Sequence, residues 1–413
     1  MWENAKQIQE ILKNISIIEH KLNEMKNDWK SNERFHEMIN DLEYSFRIVN
    51  NEIFGTEHIS RNKALELCNK LISEEINFES YLAEINSWKE LISSTVSYRN
   101  QLSKKIDYDF FKYMDYIEMV DYATLIERGI QTFKEIKNHN ASNYDNMIKF
   151  YNYYDYFWGK VDIENNVLDL LENKAKALKE HIDDFKWLYN QLGDYRSKLV
   201  LTGIIKYWSY FDILEKKKLK ENNFNDYFDF DLITCDENEV FVDIGAYDGD
   251  SIKSFIDSFN RYKQIYAYEI TPSSVLKLKK NLQEYDNIEI RNKAVGSTTG
   301  EIFIKSSEDV SSNRINKDGE ISIEMVSLDE DIKEKITFIK MDIEGAEQEA
   351  LKGCKNHIIK DRPKLTICTY HNNEDIWKIP RMIKEMNPNY NFYMRYNGHE
   401  FGFGTTEFVL FAI

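Results

Sequence analysis

Acidic residues and glycines alternate directly after a short apolar run, in the segment VDIGAYDGDS that begins at Val242. Gly245 permits a tight turn and a close approach of a ligand to the backbone, and Gly249 does the same four residues later. The aspartates of this segment would repel a pyrophosphate, whereas they suit a ligand with cationic centres. They are Asp243, Asp248 and Asp250. The glycine spacing also departs from the dinucleotide fingerprint, so the segment predicts a loop for a different cofactor.

Another acidic residue, Glu269, follows the next predicted strand and lies 24 residues after Gly245. A carboxylate near this offset accepts hydrogen bonds from both hydroxyls of a ribose. A cofactor with an amine, a sulfonium and a ribose is S-adenosylmethionine, and the turn from Lys293 to Gly296 is the expected wall beside its adenine. The residues predicted to bind it are Asp243, Gly245, Ala246, Tyr247, Asp248, Gly249, Glu269, Ile270, Ala294, Val295 and Asp342.

The segment KMDIEG, which begins at Lys340, contains the end of a later predicted strand and the loop that follows it. Because its loop lies beside the first one in a doubly wound sheet, its carboxylates should face the same ligand. Asp342 is the first candidate for a general base or for orienting the cofactor, and Glu344 and His371 follow as catalytic candidates. His371 directly follows the next strand, and the pKa of a histidine suits a base near neutral pH.

Alternative interpretations of these residues stay open. Glu344 could cap the helix that begins at Ala346, and His371 could make a structural hydrogen bond. Asp342, Glu344 and His371 could also bind a divalent metal, but their spacing does not define a metal site, so no metal is assigned. Tyr227 and Phe228 could close over the site.

Strand and helix patterns alternate from about residue 240 onward. The predicted strands are 240–242, 264–268, 288–290, 336–341, 365–370, 391–396 and 407–413, and the predicted helices are 251–260, 272–284, one from 346 and 373–386. This alternation predicts an α/β fold with a parallel, doubly wound sheet. The last two strands are too closely linked for a crossover helix, so we expect them to be antiparallel.

Residues 1–183 are predicted to be helical almost throughout. Apolar residues between Ile8 and Trp29 recur in steps of three and four, as in a coiled coil. We expect this all-helical domain to serve oligomerisation, partner binding or substrate docking, followed by a second domain at 184–413. Aromatic residues are dense from Tyr108 to Trp158; they could stack on sugars, but helix packing is the simpler explanation.

The composition and charge of the chain disfavour several classes of function. The chain has 413 residues and a net charge of −17, which disfavours nucleic acid as a partner. The four cysteines form no CxxC pair, no signal peptide is apparent, and no apolar stretch is long enough to span a membrane. We therefore expect a cytoplasmic protein, and the high Asn, Lys and Ile content suggests a bacterial one.

Several segments together resemble the FkbM family of S-adenosylmethionine-dependent methyltransferases. They are FVDIGAYDGDS, YEITPSS, SLDE, FIKMDIEGAEQEALKG, RPKLTICTYH and EFVLFA, with LGDYRSK and NDYFDFDL as a similar lead-in. The resemblance covers residues 185–413. It departs from the family at 394–397, where MRYN stands in place of Leu-Arg-His-Tyr.

The resemblance implies a class I methyltransferase fold, that is, a Rossmann-like sheet with an antiparallel last strand. It also implies methyl transfer to a hydroxyl of a carbohydrate, a glycan or a related secondary metabolite. Two alternatives remain: an N-methyltransferase acting on an amine of a glycan-linked group, and a non-catalytic scaffold that binds the cofactor. Self-association or a protein partner is expected to involve the N-terminal helices.

Overall fold

A computed structural model describes Ser80, Ala83 and residues 104–212, 219, 227–304, 319–396 and 407–413. The chain divides into two compact units, Met1–Asp109 and Phe110–Ile413. The predicted coiled coil between Ile8 and Trp29 lies outside the described residues.

Helices precede the sheet and also alternate with its strands. Several begin at a side-chain cap, as where the Asp121 carboxylate accepts a hydrogen bond from the Thr124 backbone N–H. In chain order the helices are α1 (104–119), α2 (Tyr122–His139), α3 (Ala141–Tyr153), α4 (Asp155–Trp158), α5 (Asp169–Glu180), α6 (Ile182–Gln191), α7 (Tyr195–Tyr210), α8 (Asp250–Phe259), α9 (Pro272–Asn281), α10 (Leu328–Asp331), α11 (Glu347–Gly353), α12 (Lys355–Lys360) and α13 (Asp375–Met386).

The strands form a seven-stranded sheet and a three-stranded sheet. The strands are β1 (Val240–Ile244), β2 (Gln264–Tyr268), β3 (Ile288–Arg291), β4 (Ala294–Val295), β5 (Gly300–Ile304), β6 (Ile321–Val326), β7 (Phe338–Met341), β8 (Lys364–Cys368), β9 (Phe392–Tyr396) and β10 (Phe408–Ala412). The larger sheet has the order β3-β2-β1-β7-β8-β10-β9, and the smaller one β4-β6-β5. Strands β1, β2, β3, β7 and β8 run parallel, while β10 is antiparallel to both neighbours. The predicted doubly wound sheet with an antiparallel end is thus confirmed.

Helices α2 to α7 share a hydrophobic core with the larger sheet. Buried members of this core include Phe133, Tyr151, Leu188, Trp208, Ile339 and Leu410. The compact unit that holds the sheet accordingly begins at Phe110, whereas the sequence analysis places a domain boundary after residue 183. The difference arises because periodicity shows that a helix has an apolar face but not which element covers that face.

Arg395 joins helix α7 to the edge of the sheet. Its guanidinium is buried, lies 2.7 Å from an Asp194 carboxylate oxygen and also pairs with Asp229. Its Nη1 donates a hydrogen bond of 3.0 Å to Ser197. Arg395, which keeps its place in the family pattern, therefore has a structural role, since a buried charge must be paired. None of the helices in the described part of the chain is long and apolar enough to cross a membrane.

Candidate active site

A cavity of about 740 Å³ opens at the carboxyl ends of β1, β2, β7 and β8. This is where a doubly wound sheet binds its ligand, because the loops after neighbouring parallel strands meet there. We name two parts of the cavity by their residues. The glycine-loop end contains Gly245, Tyr247, Glu269, Ile270, Thr271, Ala294 and Val295, and the acidic end contains Tyr227, Asp342, Glu344, Tyr370 and His371.

Gly245, at the glycine-loop end, packs directly against the backbone of Asp342 at the acidic end. Its φ of +86° lies in the left-handed region, and a Cβ placed there would come within 1.9 Å of the backbone oxygen of Asp342. Its N–H donates to the backbone oxygen of Tyr268 over 3.0 Å. Only glycine adopts this φ without strain and leaves room for the Asp342 oxygen. The tight turn predicted after the first strand is thus confirmed.

Glu269 ties the glycine loop to the end of β2. One carboxylate oxygen accepts the Tyr247 N–H over 2.9 Å, and the other accepts the Thr271 N–H over 2.6 Å. Burial raises the pKa of Glu269, and the two backbone hydrogen bonds oppose that effect. Each oxygen of a carboxylate has a second acceptor position, so the group retains capacity for two hydroxyls on the cavity side.

Asp243 lies beneath the glycine loop rather than in the cavity. It is fully buried, and its Oδ1 lies 3.0 Å from Nζ of Lys340, which also donates 2.8 Å to the backbone oxygen of Gly245. Burial raises the pKa of Asp243, and the Lys340 ammonium opposes this. Asp243 therefore adds little to the negative charge that the sequence predicts for a cationic cofactor, because Lys340 balances this carboxylate.

Asp342 accepts two tyrosine hydroxyls at the acidic end. Tyr227 donates to Oδ2 over 2.7 Å, and Tyr370 donates to Oδ1 over 3.4 Å. Burial raises the pKa of Asp342, but the positive charges of His371 and Lys340 outweigh burial and bring the pKa below its usual value. Asp342 is therefore an anion that already accepts hydrogen bonds, which makes it a weak proton acceptor.

His371 lies between carboxylates on both sides of its ring. Nδ1 is 2.9 Å from Glu347 Oε1, while Nε2 is 3.5 Å from Asp342 Oδ1 and 3.9 Å from Glu344 Oε2. Burial lowers the pKa of His371, but these three carboxylates outweigh burial and raise it to about 10. The surrounding carboxylates therefore favour a protonated ring, and a role of His371 as a base stays a prediction.

Glu344 has a strained backbone at the tip of the loop after β7. Its φ is +55°, which a non-glycine residue adopts rarely, and the next residue, Gly345, has a φ of +92°. The Glu344 side chain is 27% exposed, so it reaches the open cavity. Backbone strain of this kind costs on the order of 1–3 kcal/mol and is concentrated at functional sites.

Aromatic residues of α3, of α4 and of the position between them cover the acidic end. The wall consists of Phe150, Tyr154, Phe157 and Trp158. The Phe157 ring lies 5.1 Å from the His371 ring, centroid to centroid, and the Trp158 indole N–H donates 3.0 Å to the backbone oxygen of Tyr370. Part of the predicted aromatic segment therefore faces the cavity, while Tyr151 packs in the core as the simpler interpretation expects.

The structure brings most of the predicted site residues together. The cavity lining includes Gly245, Tyr247, Glu269, Ile270, Ala294, Val295, Asp342, Glu344 and His371 but not Asp243, Ala246, Asp248 or Gly249. Tyr227 lines the cavity as expected, while Phe228 is buried in a core cluster. Sequence reasoning missed Glu347 and Lys340 as site residues, although both lie in the segment from Phe338 to Gly353. The sequence did contain a signal for them, because each is a charged residue at a position where the strand or helix pattern calls for an apolar one.

Known proteins and solved structures resemble this chain in its C-terminal part. Residues 243–401 match the sequence family described as methyltransferase FkbM domain. A methyltransferase FkbM from Methylobacillus flagellatus KT is 22% identical with a TM-score of 0.50, and the alignment covers 62% of this chain and 66% of that one. The chain thus spans slightly under two thirds of that protein's length. No curated protein matches the chain.

Two further structures are more distant. An rRNA methylase from Streptococcus thermophilus is 13% identical, covers 43% of this chain and 87% of its own, and has a TM-score of 0.29. A putative methyltransferase from Streptococcus mutans in complex with SAH is 13% identical, with 43% and 89% covered and a TM-score of 0.29. Enzymes of the FkbM family use S-adenosylmethionine, the cofactor that the loop chemistry predicted. Residues 243–401 therefore match the methyltransferase FkbM domain family, and the chain has a class I methyltransferase fold preceded by a helical region.

Proposed function

We propose that this chain transfers a methyl group from S-adenosylmethionine to a hydroxyl of a carbohydrate, a glycan or a related acceptor. The observation that carries the proposal is the cavity itself. Its glycine-loop end has the chemistry of a cofactor site, and its acidic end, which lines the same cavity, has the chemistry of an acceptor site.

The residues of the glycine-loop end fit the cofactor. Glu269 presents its remaining acceptor positions for ribose hydroxyls, and Ala294 and Val295 offer an apolar surface to the adenine ring. Gly245 keeps the loop free of side-chain atoms that would block the approach of the ligand to the backbone. When bound, S-adenosylmethionine supplies a methyl group on a cationic sulfonium.

The acidic end fits a nucleophile that loses a proton. Methyl transfer is an in-line displacement, in which alignment by the protein supplies about 7–11 kcal/mol in well-oriented systems. As the new carbon–oxygen bond forms, the hydroxyl proton must go to a base, which contributes about 10²–10⁴-fold. We assign that proton to Glu344, because it reaches the open cavity while Asp342 is held as an anion by two tyrosines. Asp342 and His371 then position the acceptor.

The aromatic wall supports a carbohydrate acceptor. Phe157 and Tyr154 lie almost parallel, with ring planes 11° apart and centroids separated by 6.3 Å. Aromatic faces offer a flat apolar surface, which suits the C–H faces of sugar rings, while the carboxylates of Asp342 and Glu344 accept hydrogen bonds from sugar hydroxyls.

One observation favours N-methylation as the second candidate. The acidic end has three carboxylates around a single imidazole, and such a charge attracts an acceptor with an ammonium group. An amine needs less help from a base than an alcohol does.

The predicted roles of residues 1–183 in self-association or partner docking, and the cytoplasmic location, also stay proposals.

Two measurements on the full-length protein test the proposed function. Calorimetric titration with S-adenosylhomocysteine should show one site with micromolar affinity. Transfer of a radiolabelled methyl group from S-adenosylmethionine should then be measured on a panel of glycosides and on matched amino sugars. Labelled glycosides support O-methylation, and label only in the amino sugars supports the second candidate. Absence of any S-adenosylhomocysteine binding would refute both.

A further inference from the structure

We propose that Asp342, Glu347 and His371 bind a divalent cation at the acidic end of the cavity. The three residues come from the end of β7, the start of α11 and the loop after β8. Each offers one ligand atom, and these atoms all lie within 4.8 Å of one another. Ligands around one small ion have separations of this order, because each lies about 2 Å from the metal.

Unpartnered buried atoms point to the same place. Within the described residues, Oε2 of Glu347 and Nε2 of His371 make no hydrogen bond, while Nδ1 of His371 forms an ion pair of 2.9 Å with Glu347 Oε1. Glu347 is 0% exposed and His371 is 1% exposed. Leaving such groups without partners costs about 1–3 kcal/mol each, and more for charged ones, so their convergence calls for a ligand.

The local charge is unbalanced in a way that a cation would correct. Asp342, Glu344 and Glu347 are all within 4 Å of His371, and the nearby Lys340 already lies 3.0 Å from Asp243. Buried carboxylates in excess of their cationic partners are costly. A divalent cation between these side chains would offset the excess of negative charge.

The donor set selects the kind of ion. One imidazole and two carboxylates form a mixed nitrogen and oxygen set, which suits Mn²⁺ or a similar first-row ion better than Ca²⁺ or Mg²⁺, whose sites are mainly oxygen. The Asp342 side chain is 21% exposed, so an ion can enter from the cavity. Three protein ligands also leave coordination positions open to an acceptor.

This inference deepens the proposed function and rests on it for the ion's purpose, though not for its binding. A cation beside the acceptor hydroxyl lowers the pKa of that hydroxyl and holds its oxygen in place. Glu344, which is not among the three ligands, then takes the released proton.

The test uses full-length protein treated with a chelator, desalted, and titrated with Mn²⁺ alone. Loss of the electron paramagnetic resonance signal of free Mn²⁺ should show one bound equivalent. The spin echo of the bound ion should show modulation by an imidazole nitrogen. Glu347→Gln and His371→Ala should each weaken binding by about 10–100-fold or more. Glu349→Gln, the same change on the same helix but with a half-exposed side chain, should bind Mn²⁺ like the wild type.

Titration with S-adenosylhomocysteine separates this inference from the proposed function. Wild-type protein that binds S-adenosylhomocysteine but not Mn²⁺ would overturn the metal site alone. Bound Mn²⁺ without imidazole modulation in the wild type would also overturn it, whatever the variants do. Equal Mn²⁺ affinity in Glu347→Gln and Glu349→Gln would have the same meaning. Mn²⁺ binding with nitrogen modulation, in protein that fails to bind S-adenosylhomocysteine, would support the metal site and refute the methyltransferase.

Discussion

Replacing Lys340 by Met should lower the free energy of unfolding by about 3–5 kcal/mol, because it leaves a buried carboxylate unpaired. Lys340 is 2% exposed and Asp243 is 0% exposed, and their side chains meet between adjacent parallel strands. The change also removes the hydrogen bond to the backbone oxygen of Gly245. Chemical denaturation followed by tryptophan fluorescence measures the loss. It should be done without cofactor, so that binding does not contribute.

Two further variants test whether the loss of stability comes from the buried charge. Lys352→Met removes the same charge from an exposed pair with Glu349 and should change the unfolding free energy by less than about 1 kcal/mol. Adding Asp243→Asn to Lys340→Met should recover much of the loss, because the buried charge is then gone. If Lys340→Met were no more destabilising than Lys352→Met, the buried pair would not have the importance that the structure gives it.

Replacing Glu269 by Ala should weaken S-adenosylhomocysteine binding by at least about a hundredfold. Hydrogen bonds to a charged group are worth about 1.5–3 kcal/mol each, and two ribose hydroxyls would lose their acceptor. The change also frees the backbone N–H groups of Tyr247 and Thr271, which hold the loop in the shape that the ligand meets. Isothermal calorimetry on wild type and variant gives the ratio of dissociation constants directly.

The control for Glu269 is Glu289→Ala on the neighbouring strand. Glu289 is half-exposed and pairs with Arg291 outside the cavity, so S-adenosylhomocysteine should bind that variant as it binds the wild type. The denaturation midpoint of Glu269→Ala must be measured too, because loop disorder could mimic a lost contact. A folded Glu269→Ala variant with wild-type affinity would contradict the placement of the ribose at this carboxylate.

Regular elements of the sheet were predictable because their apolar runs are continuous. The strand Gln264–Tyr268 was predicted with its observed bounds, and β1, β7, β8, β9 and β10 differ from prediction by two residues or fewer at each end. The three-stranded sheet was missed. Its strand β4 has only two residues, and β5 alternates exposed and buried positions too briefly to stand out from a loop. Short elements of this kind depend on pairing between strands, which a single sequence does not reveal.

Long-range contacts limited the prediction of the site in the same way. Asp342, Glu344 and His371 were predicted as neighbours because topology brings adjacent strand ends together. The pairing of Asp243 with Lys340 depends on the register of β1 and β7, whose partners are almost a hundred residues apart in sequence. The contact between Trp158 and Tyr370 joins still more distant segments. Neither leaves a periodic signal.

The aromatic wall has a consequence for the acceptor selectivity of the proposed methyltransferase. Phe150, Tyr154, Phe157 and Trp158 all precede residue 243, so they lie outside the stretch that matches the FkbM domain. Part of the proposed acceptor surface therefore precedes the stretch that holds all of the proposed cofactor contacts. Under the proposed function, substitutions at these four positions should alter acceptor selectivity and leave the residues of the glycine-loop end unchanged. Exchange of residues 150–158 between related proteins is the corresponding route to new specificity.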